Sequence, residues 1–379
     1  MQVAQKVVRQ EDVASADFSD LAALQPNLVL AFGSVQAIVA AAAPMAHFFP
    51  QAHRAGCSTA GEISMKGVAD GSLVVTAVHF DSVDVQQSTT VLRGMEDSRE
   101  AGVRLAQALP QEGLRAVLVL GQGVAINGSA VIAGLTSLLD AGVTVTGGLA
   151  GDGGAFQRTW VLDDAGVSSE RLVALGLYGE RLEFSHGSFG GWSPFGPARK
   201  VTRAENNVLY ELDGEPALTV YKRYLGEHAK GLPASGLLFP FAMLGSDHSE
   251  VGLIRTILGV DEAQGSLTLA GEIDTNGYLK LMHSNTDALV DGAEAAAQAA
   301  AAMQHTEGTG LALLVSCVGR KLVMGGRVEE EVEAVGDVFG RGATLAGFYS
   351  YGEISPFTKS VDCKLHNQTM TVTHIAETA

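Results

Sequence analysis

Residues 116–121 read AVLVLG, an apolar run that predicts a buried strand, and a helical stretch follows near 128–141. The same succession begins at residues 27–33, where NLVLAFG precedes a helical stretch near 35–48. Further candidates for strands and a helix lie between these segments, at 72–80, 82–91 and 95–109. Strands that alternate with helices in this way predict an α/β fold class.

The second half of the chain has shorter strands, which are grouped together, and this predicts α+β character there. Its predicted elements are helices near 215–230, 287–303 and 328–339, with strands at 250–258, 266–273, 278–283, 311–317, 343–352 and 369–375. A length of 379 residues favours two domains. We predict domains at 1–222 and 223–379, closely packed without a flexible linker, with mixed sheets flanked by helices.

Two segments of the sequence resemble one another. Residues 56–64 read GCSTAGEIS and residues 347–355 read GFYSYGEIS, which indicates two related half-units. Glu62 and Glu353 occupy equivalent places in this repeat. As a pair they could do acid/base chemistry, but the more common role is to accept hydrogen bonds from nearby loop amides.

The composition excludes several classes of partner. Lys and Arg number 25 against 42 Asp and Glu, so the formal charge is 25 − 42 = −17, which disfavours nucleic acid and anionic membrane surfaces. The apolar runs are too short to span a bilayer and the N-terminus has no signal core, so we expect a cytoplasmic protein.

The three cysteines predict free thiols, because Cys57, Cys317 and Cys363 are far apart and form no CxxC pair.

Two motifs indicate chemistry only weakly. VLVLGQGVAING at 117–128 resembles a dinucleotide fingerprint, but Ile126 stands where the third glycine belongs. An ordinary strand-to-helix turn is therefore favoured. Cys57 has His53 four residues before it, but a buried structural cysteine is more common than a nucleophile.

His186 opens the segment HGSFGGW, in which small residues allow close approach and Phe189 and Trp192 offer flat apolar surfaces. A neutral imidazole with aromatic packing is what a haem iron and its macrocycle require. On these residues alone a core or turn histidine is favoured. The ten histidines show no HExxH spacing, so a site with several histidine ligands has no support.

Six segments in order carry a resemblance to a known family. They are GCSTAGEIS at 56–64, GGLAGDGG at 147–154, VT…NNVLYELDGEPAL at 201–218, SCVGRK at 316–321, GFYSYGEISP at 347–356 and LHNQTM at 365–370. The chain resembles FIST proteins, with N-terminal and C-terminal FIST regions. Through HGSFGGWSPFGP, SGLLFPF at 235–241 and LHNQTM it is most similar to NosP-type nitric-oxide-sensing haem proteins.

This resemblance implies a function that composition and periodicity do not indicate. It implies noncovalent haem b, with His186 as the iron ligand, Phe189 and Trp192 against the porphyrin, and His366 as the alternative ligand. It also implies nitric oxide sensing, regulation of a separate sensor histidine kinase and no enzymatic activity. The alternative is a FIST module that binds a small non-haem metabolite between its halves, and a homo-oligomer is left open.

Overall fold

The computed structural model describes residues 1–304, 310–357 and 362–378. The described strands form three six-stranded sheets and one nine-stranded sheet. The three smaller sheets share a central apolar core, and helices cover their outer faces. Mixed sheets flanked by helices confirm the predicted α/β class.

Unit 1 comprises residues 2–79 and sets the pattern that two further units repeat. Its elements are β1 (Gln2–Arg9), α1 (Ser19–Ala22), β2 (Leu28–Gly33), α2 (Val35–Phe48), β3 (His53–Ser58), β4 (Glu62–Ser64), β5 (Gly67–Ala69) and β6 (Ser72–His79). Strand β2 is buried along its whole length and pairs in parallel with β3. Helix α2 connects them and begins at Ser34, whose Oγ accepts a hydrogen bond from the N–H of Ala37 at 3.2 Å.

Unit 2 comprises residues 84–178 and has a second helix on its outer face. Its elements are β7 (Asp84–Val91), α3 (Ser98–Ala108), β8 (Leu114–Gly121), α4 (Gly128–Thr136), β9 (Thr144–Leu149), β10 (Val161–Asp163), β11 (Gly166–Ser168) and β12 (Arg171–Tyr178). Helices α3 and α4 approach closely because glycine stands at their contact. A Cβ on Gly102 would lie 2.1 Å from the carbonyl oxygen of Val131.

Unit 3 begins with β13 (Leu182–Phe189) and is then interrupted by an inserted domain of residues 190–285. The elements of the inserted domain are β14 (Ser193–Pro194), β15 (Arg199–Glu205), β16 (Val208–Leu212), β17 (Glu215–Pro216), α5 (Ala217–Leu225), β18 (Phe241–Leu244), β19 (Glu250–Arg255), β20 (Ile257–Asp261), β21 (Ser266–Leu269) and β22 (Tyr278–His283). These strands form the nine-stranded sheet, which packs on α5 in a core of its own.

Unit 3 resumes after the inserted domain. Its remaining elements are α6 (Thr286–Ala301), β23 (Gly310–Cys317), α7 (Val318–Met324), α8 (Glu329–Phe339), β24 (Ala343–Ser350), β25 (Gly352–Pro356), β26 (Cys363–His366) and β27 (Met370–Glu377). Strands β23 and β24 are parallel, and β27 lies between β23 and β13. This arrangement repeats that of β2, β3, β6 and β1 in unit 1.

The three units exchange their hairpins in a closed cycle. The β4–β5 hairpin of unit 1 joins the sheet of unit 3, β10–β11 of unit 2 joins the sheet of unit 1, and β25–β26 of unit 3 joins the sheet of unit 2. Each unit therefore gives one hairpin and receives one. The GEIS repeat indicated two related half-units, and that prediction was wrong in number because the structure has three.

Strand register identifies equivalent positions in the three units. Gly56, Gly147 and Gly347 lie in the second strand of each parallel pair, opposite Ala31, Val119 and Leu314 respectively. A Cβ at these glycines would lie 1.9, 1.8 and 1.9 Å from the carbonyl oxygens of those partners. The same close backbone approach thus recurs in each unit.

The strand pairing does not follow the predicted division at residues 222 and 223. That boundary falls within α5 (Ala217–Leu225), inside the inserted domain. Strand β13, before the boundary, pairs over its whole length with β27 at the other end of the chain. The division into domains 1–222 and 223–379 stays a prediction, and the strand pairing groups the described residues into three units and one inserted domain.

Candidate ligand cleft

A cleft separates the inserted domain from unit 2. On the unit 2 side it is formed by α4 and by the loop that leads into this helix from β8. On the other side are strands β18 and β19 and the segment 268–274 of the inserted domain. Strand β26, which unit 3 contributes to the sheet of unit 2, lies along its floor.

The cleft contains two neighbouring cavities. The first, which we call the helix cavity, has a volume of about 600 Å³ and lies against α4. The side chains that line it include Ser129, Ala133, Thr136, Arg255, Glu272 and Lys364. The second, which we call the loop cavity, has a volume of about 390 Å³ and is lined by polar groups such as Asn127, Asn206, Asn207 and Tyr351. Both volumes are in the range of small-molecule sites.

The two cavities are adjacent, and one hydrogen bond crosses the cleft between them. Asn127 Nδ2 donates to Glu272 Oε1 at 3.2 Å, while Asn127 Oδ1 caps α4 by accepting from the N–H of Ala130 at 3.0 Å. Leu365 of β26 lines both cavities. Asn127 therefore joins the start of α4 to the inserted domain.

The loop at 121–128 is shaped by close packing. A Cβ on Gly123 would lie 1.9 Å from the carbonyl oxygen of Ala150, and one on Gly128 would lie 3.0 Å from a methyl group of Leu365. Gln122 Oε1 accepts from the N–H groups of Val124 and Ala125 at 3.0 and 3.1 Å. These contacts account for the glycines of this segment without a nucleotide.

His186 lies in the middle of β13 and faces the core shared by the three sheets. It pairs with Thr373, and its neighbour on the same face, Phe184, packs against the central apolar cluster. Its Nδ1 is buried and has no hydrogen-bond partner among the described residues. Burial lowers the pKa of His186, so the imidazole is neutral.

The register makes His186 equivalent to Gln5 of unit 1 and Gln87 of unit 2. Both glutamines tie their unit to a neighbouring one. Gln5 Nε2 donates to the carbonyl of Leu345 and Gln87 Nε2 to that of Arg54, each at 2.9 Å. The histidine therefore occupies a position that serves inter-unit contact elsewhere in the molecule.

Phe189 and Trp192 do not share a pocket with His186. Alternation along β13 puts Phe189 on the opposite face, the face where a Cβ on Gly187 would meet the carbonyl of Ala296 in α6. Phe189 is 39% exposed. Trp192 Nε1 donates to the carbonyl of Gln368 at 2.7 Å, beyond the end of the strand. As arranged, these three side chains do not fit around one porphyrin.

His366 lies in β26 and is held as a neutral hydrogen-bond donor. Its Nε2 is 2.9 Å from the carbonyl oxygen of Ser355, and Phe357 packs edge-on against its ring with 5.0 Å between the ring centroids. Burial lowers the pKa of His366 to about 4. The hydrogen bond of Nε2 and the contact with Phe357 thus hold this imidazole within the protein.

We expect His366 to make the fold sensitive to acid. Its pKa is lower in the folded than in the unfolded chain, so its contribution is intact above about pH 6.5 and is lost as the pH falls toward 4. In His366→Gln, the slope of unfolding free energy against pH in this window should decrease by about 1 kcal/mol per pH unit. Urea titrations from pH 4 to 7 measure it. The exposed His47→Gln variant is the control, and an equal slope in both variants would contradict the expectation.

The remaining candidates for chemistry are structural. Cys57 is fully buried and burial raises the pKa of its thiol, which disfavours the nucleophilic thiolate. Its neighbour in sequence, His53, bonds instead to Asp164, with 2.7 Å between Nδ1 and Oδ2. Cys57 and His53 therefore do not form a nucleophile and base pair.

Glu62 and Glu353 have equivalent surroundings in two units. Glu62 accepts hydrogen bonds from the hydroxyl of Thr59 and from the N–H and hydroxyl of Ser72. Glu353 accepts from the hydroxyl of Ser350 and from the N–H and hydroxyl of Thr369. The role as acceptors from neighbouring loops is confirmed, and the equivalent position in unit 2 is Val161.

Arg255 is a cleft residue that the sequence did not single out. It is at the end of β19, is only 3% exposed, and donates to the carbonyl oxygens of Glu272 and Leu365 at 3.1 and 3.3 Å. These bonds join the inserted domain to β26. In the sequence it is one cation within the predicted strand EVGLIRTIL, and nothing there indicates burial.

The fold is therefore that of a three-unit α/β protein with an inserted domain and a cleft between the two. A model of the FIST N domain matches residues 27–215 and a model of the FIST C domain matches residues 217–356. The chain belongs to the FIST family, whose domains are sensory modules of signal transduction. The closer resemblance to NosP-type haem proteins stays a prediction.

The individual proteins that are similar to this chain do not indicate a more specific function. An uncharacterized protein of Methanocaldococcus jannaschii is 34% identical over 88 residues, which are 23% of this chain and 17% of that protein. A cyanuric acid hydrolase from A. caulinodans has a TM-score of 0.35 at 10% identity, with 99% of this chain and 98% of the other covered. A second cyanuric acid hydrolase structure gives the same TM-score and identity over 100% of both chains.

Within residues 1–304, 310–357 and 362–378, no three or more His, Cys, Asp or Glu side chains are grouped as metal ligands. No helix there is long and apolar enough to cross a membrane.

Proposed function

We propose that this chain is a sensory module that binds a small polar metabolite in the cleft and passes the signal to a separate protein. The observation that carries the proposal is the pair of cavities between unit 2 and the inserted domain, with side-chain amides and charged groups on their walls. Convergent polar groups in a cavity between two domains are typical of a ligand site. The sensory role of FIST domains supports the same conclusion.

The connections of the inserted domain suit a signalling role. The chain leaves unit 3 after Phe189 and returns after Asn285, and the two ends of the inserted domain are joined because Ser284 Oγ donates to the carbonyl of Gly191 at 2.7 Å. The buried guanidinium of Arg320 donates to the carbonyl of Gly190. A ligand that contacts both walls of the cleft would favour one position of the inserted domain about this attachment. The signal would pass to a cytoplasmic histidine kinase that binds the ligand-bound position of the inserted domain with a different affinity from the ligand-free position.

Binding without catalysis is part of this proposal. Cys57 is buried with a raised thiol pKa, and Glu62 is engaged by hydroxyl and amide donors. Neither group lines the two cleft cavities.

Filling the helix cavity should abolish ligand binding. Ala133 is an exposed residue of α4 that lines this cavity, so Ala133→Trp occupies the space without disturbing the core. For a metabolite that raises the melting temperature of the wild-type protein, we expect calorimetry to give at least about tenfold weaker binding. Leu138→Trp, at an exposed position beyond the end of α4, is the matched control and should bind normally. Equal affinity of wild type and Ala133→Trp would exclude this cavity.

Haem-based sensing of nitric oxide is the second candidate, and one observation favours it. The imidazole of His186 is neutral and its buried Nδ1 lacks a partner among the described residues, as an axial ligand requires. Phe189 and Trp192 do not face it, so haem would bind only after β13 and its surroundings rearrange. No step of the cleft proposal depends on haem.

A haem titration followed by optical spectroscopy tests this second candidate. A saturable Soret band that shifts with nitric oxide and is lost in His186→Ala would favour haem b sensing at His186. A band that survives in His186→Ala but is lost in His366→Ala would assign the ligand to His366. The absence of saturable binding to folded wild-type protein would exclude the haem proposal.

A further inference from the structure

We propose that Arg255 binds a carboxylate group of the ligand in the helix cavity, so that the metabolite is a small organic carboxylate. This inference deepens the proposed function and rests on the cleft being the ligand site. It depends on three features of Arg255, namely its burial, the neutral partners that hold its side chain, and the absence of a carboxylate paired with it among the described residues.

The guanidinium of Arg255 is fixed in position by carbonyl groups. Nε donates to the carbonyl of Glu272 at 3.1 Å, and Nη1 donates to the carbonyls of Ile254 and Leu365 at 3.2 and 3.3 Å. No hydrogen bond of Nη2 is found within the described residues, although a guanidinium has two donors on that nitrogen. The side chain is therefore oriented in advance and retains donors for a ligand.

The positive charge of Arg255 is not neutralised by an ion pair within the described ranges. Glu272 is close enough to favour the cation, but its Oε1 accepts a hydrogen bond from Asn127. Burial is the larger effect and lowers the pKa of Arg255 to about 10, so the group is still a cation at neutral pH. Because a buried unpaired charge is costly, an anion that enters the cavity gains a strong partner.

Another buried arginine of the chain has the carboxylate partner that Arg255 lacks among the described residues. Arg320 is fully buried and has Glu331 as its partner, with 2.8 Å between Nη2 and Oε2. Arg255 is buried to almost the same extent, yet it lines a cavity of about 600 Å³, and its hydrogen-bond acceptors among the described residues are all neutral carbonyls. A ligand carboxylate would complete at Arg255 the pairing that the protein itself supplies at Arg320.

The other charges of the helix cavity limit the ligand further. Lys364 lines the same cavity and adds a second cation, while Glu272 and Asp274 add two carboxylates. Polyanions would be repelled by these acidic groups, whereas a ligand with one carboxylate and additional hydrogen-bond donors suits the mixed lining. Ser129 and Thr136 of α4 offer hydroxyl groups on the opposite wall.

The test uses carboxylates and neutral amides of the same shape on the full chain. Formate, acetate and lactate are compared with formamide, acetamide and lactamide, at constant ionic strength, by the arginine side-chain resonances in ¹H–¹⁵N spectra. We expect saturable shifts of the Arg255 resonance with the carboxylates only. Equal responses to the amides, or to chloride at the same concentration, would overturn the inference. This comparison requires no variant.

Substitutions then show which residue is responsible for carboxylate binding. Arg255→Gln should weaken carboxylate binding by about 30-fold or more. Arg255→Lys keeps the charge but lacks the parallel N–H donors of a guanidinium, and it should weaken binding less. Arg115→Gln, at an exposed position of β8 that lines neither cavity, removes one positive charge and is the control; it should change affinity by less than about twofold. Carboxylate binding that persists in folded Arg255→Gln would contradict the assignment.

The same measurements separate this inference from the proposed function. A neutral metabolite that loses binding in Ala133→Trp but not in Arg255→Gln would leave the cleft as the ligand site and overturn only the carboxylate assignment. If Ala133→Trp changes the binding of neither carboxylates nor neutral metabolites, both proposals fail.

Discussion

The Glu331→Gln variant should lose about 3–5 kcal/mol of unfolding free energy, as is usual when one partner of a buried ion pair is removed. Glu331 and Arg320 are both fully buried. Oε1 of Glu331 accepts from the hydroxyls of Ser316 and Tyr349, and Oε2 accepts from Nε and Nη2 of Arg320. A glutamine amide is neutral, so it leaves the charge of the guanidinium unpaired whichever way the amide is turned. Urea denaturation measures the loss.

A surface pair in the same region is the matched control. Arg327 pairs with Glu330 and Asp287, and all three side chains are exposed. Arg327→Gln should therefore cost far less stability than Glu331→Gln, because solvent screens exposed ion pairs. If the two variants lose similar amounts, the pair of Arg320 and Glu331 does not hold unit 3 together as we describe.

The Gly347→Ala variant should lose at least about 3 kcal/mol or fail to fold, because overpacking against backbone is not easily relieved. A Cβ at Gly347 would lie 1.9 Å from the carbonyl oxygen of Leu314 in the neighbouring parallel strand. The equivalent Gly56→Ala variant should behave in the same way, since its Cβ would lie 1.9 Å from the carbonyl oxygen of Ala31. Thermal and urea unfolding of the soluble variants measure both losses.

Gly142→Ala provides the control for these substitutions. Gly142 precedes β9, no atom of the described residues lies within 4 Å of an added Cβ, and it should tolerate alanine with little change. Comparable stability of Gly347→Ala, Gly56→Ala and Gly142→Ala would contradict the close approach of the paired backbones at Gly347 and Gly56.

The α/β class could be predicted because the central strands are buried on both faces. Leu28–Gly33 and Leu114–Gly121 appear in the sequence as apolar runs followed by helical spacing. The hairpin exchange could not be predicted in this way. Glu62–Ser64 and Val161–Asp163 have three residues each, too few for a periodic pattern, and their pairing partners belong to other units.

The number of units could not be recognised from the sequence because one of the three equivalent positions carries a different residue. Glu62 and Glu353 preserve the GEIS repeat, but Val161 occupies the third equivalent position. The repeat therefore indicated two units where the register reveals three. For the same reason His186 gave no sign of its equivalence to Gln5 and Gln87, which the strand register alone identifies.

The candidate site was only partly accessible from sequence. The glycine loop at 121–128 was recognised as a turn between strand and helix, and it does form one wall of the cleft. Arg255 was missed because burial of a single arginine depends on the packing of the inserted domain against β26, contacts between residues more than a hundred positions apart. No local pattern records such an arrangement.

Hydrogen–deuterium exchange with and without bound ligand is the most direct test of the cleft as the sensory site. For a metabolite that stabilises the wild-type protein, we predict slower exchange in residues 127–136 and 270–274, the two walls of the helix cavity. Haem, if it binds, can be compared in the same experiment. Protection confined to residues 182–189 and 370–377, around His186, with no change along the cleft would contradict the central claim.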